Sequence, residues 1–173
     1  LMHALQQGQW PDVSDAALQG SVQHWLSPYL SAAIRARDLG VVDLRGALYS
    51  HLEYAQKSQL DEWLPTSMVV PSGRQLPIEY TDALQPVLEV KLQEMFGLIE
   101  TPKLAQGRLV LMLHLLSPAR RPLAITSDLN SFWQFGYVQV RKELRGRYPK
   151  HPWPEDPFAA LPTARTRSTR SDK

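Results

Sequence analysis

The stretch PVLEVKLQEMFG, residues 86–97, decides how the chain folds. Leu88, Leu92, Met95 and Phe96 fall at the spacing of one helical face, and Glu, Gln, Lys and Met are good helix formers. Gly97 follows where a helix C-terminus would need a residue with left-handed freedom. The competing reading makes Val87 to Leu92 a strand. The abundance of helix formers favours the helix, and a helix is the expectation here.

Outward from it, the chain reads in both directions. Upstream, TSMVVPSGRQLPIEY (residues 66–80) has β-rich runs on both sides of Pro71-Ser72-Gly73-Arg74, which predicts a hairpin. Downstream, Arg108 to Leu116 reads as a buried strand, and Leu123 to Thr126 reads as its partner across SPARRP. The last helix gives the strongest pattern. Thr126 or Ser127 caps it, Asp128 suits its first turn, and Leu129, Phe132, Trp133, Tyr137, Val140 and Leu144 trace one face. Trp133 and Tyr137 therefore read as core. Arg141, Lys142 and Arg145 complement the dipole at its end, and Gly146 is the expected stop.

Before Pro65 the pattern is helical. Ser14 caps a helix carrying Leu18, Val22, Trp25 and Leu26, which Ser27-Pro28 should end. A second helix is expected near Leu44, Leu48 and Leu52, and a short third over Ser58–Leu64, capped by Ser58 with Asp61. The predicted class is α+β. A small helical part (1–65) precedes a hairpin, helix, hairpin and long-helix domain (66–157), with a proline-rich basic tail, disordered over 158–173.

Composition bounds the chemistry. Of the 173 residues, 43% are hydrophobic and 21% charged, which supports a folded protein. No apolar run reaches the roughly 18 residues of a membrane span. The first ten residues, LMHALQQGQW, do not read as a secretory signal, and the missing initiator Met suggests a piece of a longer polypeptide. The absence of cysteine excludes disulfides, thiolate metal sites and cysteine nucleophiles; it fits the cytoplasm, and a cysteine-free secreted protein equally. Charge is uneven. Residues 1–140 carry ten Lys/Arg and thirteen Asp/Glu, a net of −3, whereas residues 141–173 carry nine and four, a net of +5. A polyanion would be met at the C-terminal end.

No reaction centre is recognisable in the sequence. Neither G-x-x-x-x-G-K-[ST] nor G-x-G-x-x-G occurs, so neither phosphate-cradling device is present. There is no G-x-S-x-G elbow, and Ser72 reads as a turn residue. The five histidines, at 3, 24, 51, 114 and 151, lack metal-ligand spacing, and His114 reads as a hydrogen-bonded core residue. Asp61-Glu62 reads as a solvated face, because neighbours on a helix do not face each other. Glu155-Asp156 reads as a partner for nearby cations. No catalytic, cofactor or metal residue is therefore assigned.

What remains is LRGRYPKHPWPEDP, residues 144–157. Arg141, Lys142, Arg145, Arg147 and Lys150 form a cationic surface, with Tyr148, His151 and Trp153 as rings beside it. Cations neutralise phosphates and rings stack on exposed bases, so the mixture suits single-stranded nucleic acid. The plainer reading is a proline-stiffened strap: Tyr148 and Trp153 fold back over the domain and the cations line solvent. The two readings are compatible. Extended proline segments also suit a protein-docking role without nucleic acid.

Several of these stretches resemble one family. VPSGRQLPIEY, VKLQEMFGL, LMLHLLSPARRPLAITSDLNSFW and, above all, VRKELRGRYPKHPWPEDP resemble the C-terminal region of HrpB-type helicases, bacterial DEAH-box ATP-dependent RNA helicases. WPDVSDAAL and WLSPYL resemble the segment leading into it, so the resemblance covers nearly the whole chain. The family's commoner turn is SPAGRP; Arg120 stands in place of its Gly, so that turn is expected to differ. The resemblance implies an accessory extension of a cytoplasmic helicase. The ATP and Mg site and the DEAH motif would lie in the helicase core, outside this chain, which alone should neither hydrolyse ATP nor unwind a duplex. Expected partners are that core, RNA or another single-stranded nucleic acid, or a further protein.

Overall fold

The computed structural model describes residues 1–5, 10–30, 42–81 and 85–164. They fall into two compact units, Leu1–Glu62 and Trp63–Lys173, each described by itself.

The first unit is helical: α1 (Met2–Leu5), α2 (Asp15–Gly20), α3 (Val22–Trp25), α4 (Leu44–Ser50) and α5 (Tyr54–Trp63), whose last residue opens the second unit. Ser14 caps α2 by accepting from the Ala17 N–H, as its position predicts. The expected continuous helix to Leu26 breaks at Ser21, whose hydroxyl bonds back to the Ala17 carbonyl. A turn of 3-10 helix, Ser27–Tyr29, follows with Pro28 inside it. Asp43 caps α4. The helix expected from Ser58 begins four residues earlier. The Gln56 amide oxygen accepts from the Glu53 N–H, which is half of a capping box, and Ser58 lies in mid-helix.

The second unit is built on a five-stranded sheet of order β1-β2-β3-β6-β7. Its strands are β1 (Ser67–Val69), β2 (Gln75–Glu79), β3 (Val87–Lys91), β6 (Met112–Leu116) and β7 (Pro122–Thr126). A separate two-stranded ribbon joins β4 (Lys103–Leu104) to β5 (Leu109–Val110). The helix expected over residues 88–96 is thus a strand followed by one 3-10 turn, Leu92–Glu94. Leu88 and Val90 alternate inward along β3, and Leu92, Met95 and Phe96 are buried in the bend after it. The apolar spacing that imitates a helix is therefore a strand and a turn in succession. Tertiary pairing overrides local propensity because β3 lies between β2, antiparallel, and β6, parallel.

The parallel pair requires a crossover, and residues 92–111 supply it. The expected strand from Arg108 divides there: Leu109–Val110 pairs in the ribbon, Leu111 is buried, and Met112–Leu116 enters the main sheet. The β1–β2 and β6–β7 hairpins form where the turn residues place them. In the second, Arg120 takes φ +60°, the left-handed conformation that favours glycine. The turn closes all the same: the Arg120 N–H reaches the Ser117 carbonyl and the Ser117 N–H reaches the Arg121 carbonyl.

One face of the sheet is core. Leu76, Ile78, Leu88, Val90, Leu113 and Leu115 are all buried. His114 points to the other face, half-buried, in register with Glu89 and Ile125, so it is not the core residue its apolar run suggests. Trp133, Tyr137, Phe96 and Phe132 pack together, with Phe96 and Trp133 each edge-on to Tyr137 at 5.9 and 5.5 Å.

The long C-terminal helix is not one regular element. α6 (Leu129–Ser131) is capped by Asp128 itself, whose carboxylate accepts from the Ser131 N–H. Residues Phe132–Gly136 form a π turn, and α7 (Tyr137–Arg147) continues through Gly146 to Arg147. A π turn inserts one extra residue. Gly136 permits it: a Cβ there would lie 2.8 Å from the Phe132 ring. The Trp133 indole N–H donates to the Leu98 carbonyl at 2.8 Å, and the Leu129 N–H donates to the Thr101 hydroxyl. These bonds tie the helix to the crossover.

Candidate nucleic-acid interface

The stretch after α7 folds back as a strap. Tyr148 ends the helix, its N–H bonded to the Leu144 carbonyl, and a turn closes from the His151 N–H to the Tyr148 carbonyl. Prolines 149, 152, 154 and 157 donate no backbone hydrogen bonds, so side chains and carbonyls must hold this part of the chain. They do so at successive carbonyls. The Trp153 indole donates to Tyr148 (2.9 Å), Arg141 Nε to Trp153 (3.0 Å) and the Tyr137 hydroxyl to Pro154 (2.9 Å). Gly97 N–H donates to the Pro157 carbonyl, and Thr163 N–H donates to the Gln93 carbonyl. Gly97 sits at φ +79°, and a Cβ there would meet the Ala160 carbonyl at 3.2 Å. Residues 158–164 therefore continue along the domain, and 165–173 lie outside the described residues.

The seven sequence-predicted site residues separate into two groups. Arg141 and Trp153 belong to the strap. Trp153 is buried, and its ring is not presented to a base. Arg141 holds the Trp153 carbonyl and pairs with Glu155 at 3.0 Å; the Glu155 carboxylate is 89% exposed, so the ion pair itself contributes little. Lys142, Arg145, Arg147 and Lys150 are exposed, and among the described residues none of them forms an ion pair. Tyr148 is half-buried, with Arg147 over its ring at 5.8 Å and His151 edge-on at 6.2 Å.

Electrostatics follow the same division. Burial pushes the Tyr137 hydroxyl well above its usual range, so it stays a neutral donor to Pro154. Burial first, and the charge of Lys91 second, lowers the His151 imidazole from its ordinary 6.5. Asp156 accepts from the Phe158 and Ala159 N–H groups.

Elsewhere the chemistry is structural. Arg74 reaches the fully buried Glu94 carboxylate at 2.7 Å beside the β1–β2 turn. Ser72, in that turn, donates its N–H to the Glu94 carbonyl and has no base beside its hydroxyl. A shallow depression of 370 Å³ in the first unit is lined by Asp43, Arg45, Gly46, Tyr49 and Asp61. Asp43 is committed to its cap there, and the Tyr49 hydroxyl donates to Asp61. Among the described residues no cluster of three His, Cys, Asp or Glu side chains is placed to hold a metal.

One candidate was not visible from residue type alone. Phe135, in the π turn, is 75% exposed, and Val138, one turn on, is 64% exposed. The helical spacing that marks Phe132, Trp133 and Tyr137 as buried leaves both on the outer flank, beside Lys142 and Arg145. That periodicity was the available signal.

The second unit is thus an α+β domain closed by a proline strap, with an exposed basic flank on its last helix. Residues 25–157 match the family model described as ATP-dependent helicase C-terminal (HrpB_C), and the chain belongs to that family. It is 44% identical over 158 residues to the ATP-dependent RNA helicase HrpB of Escherichia coli K12, covering 91% of this chain and 20% of that protein. The crystal structure of the E. coli DExH-box NTPase HrpB matches with a TM-score of 0.85 at 44% identity, over 94% of this chain and 20% of that one. A second crystal structure, of the E. coli DEAH/RHA helicase HrpB, matches at 0.69 and 41% identity, over 86% and 19%. The chain thus spans about a fifth of the length of these relatives. No helix among the described residues is long and apolar enough to cross a membrane.

Proposed function

We propose that this domain adds RNA affinity to an ATP-dependent RNA helicase of the HrpB type, through phosphate contacts at Lys142, Arg145, Arg147 and Lys150. One observation carries the reading: these four cations stand exposed and, among the described residues, without carboxylate partners, while the neighbouring Arg141 is held by the strap. Ion-paired cations would have to break a contact to reach a phosphate; these do not. ATP and Mg would bind the helicase core of the parent polypeptide, in the cytoplasm, and this domain would hold RNA beside that core without reacting.

The test is a titration of fluorescent oligouridine with the chain at increasing salt. Each phosphate neutralised lowers log affinity by about 0.7 per log unit of salt, so four engaged cations give a slope of about −3. Binding that is absent at low ionic strength removes the proposal.

A second reading, docking on the helicase core or another protein without RNA contact, is favoured by the outer face of the sheet. Val69 on β1 and Ile125 on β7 are each 64% exposed there, on the face opposite the buried Leu88 and Leu113. A variant carrying V69D and I125D that keeps RNA affinity but no longer associates with the core would assign that face to docking.

A further inference from the structure

The aromatic residues of the C-terminal helix are not treated alike. Phe132, Trp133 and Tyr137 are buried, whereas Phe135 projects outward from the π turn. Exposure of a large ring costs hydrophobic stabilisation that a polar residue there would not forgo, and burial of its neighbours does not require it. Phe135 and Lys142 are seven residues apart, as are Val138 and Arg145. Seven residues is two helical turns, about 10 Å along the axis, so each apolar residue shares its flank with a cation. The sole acid between residues 129 and 147, Glu143, accepts a hydrogen bond from Gln139. The flank therefore presents a ring, a branched aliphatic group and two cations with no acid among them.

We propose that this flank engages the unstacked bases of single-stranded RNA, with Phe135 as the stacking platform and Lys142 and Arg145 on the adjoining phosphates. The inference rests on the RNA reading above and specifies its ligand as single-stranded. Every base offers a π-face to a ring, and a duplex keeps its faces inside the stack, so a lone exposed ring beside cations discriminates by strandedness rather than by sequence. Protein interfaces favour Phe and Arg but are depleted in Lys, so a protein partner would account for Phe135 and Arg145 and not for Lys142. Trp153, the ring that composition marks for stacking, is buried in the strap, and Phe135 takes that role on the open flank of the helix.

The experiment compares the unaltered chain with F135A, F135L and F135Y, each titrated with oligouridine and with a blunt RNA duplex of equal length. Loss of one base stack lowers single-strand affinity about tenfold. F135A and F135L should both show that loss, with the salt slope and the duplex affinity unchanged, and F135Y should bind as the unaltered chain does. F135A that binds oligouridine normally, while K142Q/R145Q weakens it, overturns the stacking assignment and leaves the RNA reading standing. An unaltered chain with no salt-sensitive binding removes the RNA reading and the inference with it. A protein partner retained by the unaltered chain and lost by F135A at equal RNA affinity also overturns the assignment.

Discussion

Arg141 and Arg145 stand one turn apart in α7 and meet opposite surroundings. Arg141 finds the Trp153 carbonyl at 3.0 Å and the Glu155 carboxylate beyond it; Arg145 is exposed and, among the described residues, without an ion pair. The same side chain is structural in one place and open in the other, because the proline strap passes one flank of the helix and not its neighbour. The same division runs through the whole 137–153 stretch. Tyr137 and Arg141 hold the Pro154 and Trp153 carbonyls, and the Trp153 indole adds a second donor to the Tyr148 carbonyl that the His151 N–H also reaches. Lys142, Arg145, Arg147 and Lys150 hold none of these carbonyls, so changing them should leave the fold intact.

The largest expected break in that comparison is W153A. The ring is buried and its N–H holds the Tyr148 carbonyl, so truncation should destabilise the second unit by about 3–5 kcal/mol, read as a lowered midpoint in thermal or urea unfolding. A change as small as that of an exposed cation would dissolve the distinction between strap and rim. Next come Y137F and R141A, each removing one bond to a strap carbonyl. Each should lose about 1–2 kcal/mol, whereas E155A, which removes only the exposed end of the ion pair, should lose less than about 0.5 kcal/mol. Equal losses for R141A and E155A would shift the weight from the Trp153 carbonyl to the surface charge pair.

The smallest effect is the pH dependence at His151. Its imidazole is held below 6.5 in the fold by burial and by Lys91, so below pH 6.5 the unfolded chain takes up its proton first. This contribution to stability is level above that pH and declines as the pH falls through it. H151Q should flatten the decline in acid unfolding curves measured from neutral to mildly acidic pH; an unchanged profile would mean that other groups set it.

Sequence pattern locates most of the elements of this fold, and its failures have identifiable causes. The β1–β2 hairpin announces itself through Pro71-Ser72-Gly73, and the core face of the last helix through Phe132, Trp133 and Tyr137. The strand β3 does not, because Leu88, Leu92, Met95 and Phe96 reproduce a helical spacing by joining strand alternation to a turn. Its parallel partner, Met112–Leu116, lies more than twenty residues away, beyond any local window. The π turn is equally silent, since Gly136 matters only once the Phe132 ring is placed against it. At the proposed site, residue type gathers the cations into one stretch of sequence. It cannot tell Arg141 from Arg145, or say that Trp153 is inside and Phe135 outside, because those facts depend on where the chain goes after Pro149.

The measurement that bears most directly on the account pairs two readings on one variant, K142Q/R145Q/R147Q/K150Q: its thermal midpoint and its affinity for oligouridine. The account predicts a stability within about 0.5 kcal/mol of the unaltered chain, as is usual for surface changes, together with a large loss of RNA affinity and a nearly flat salt dependence. Undiminished affinity with its salt slope intact, or a collapse of stability, would contradict it.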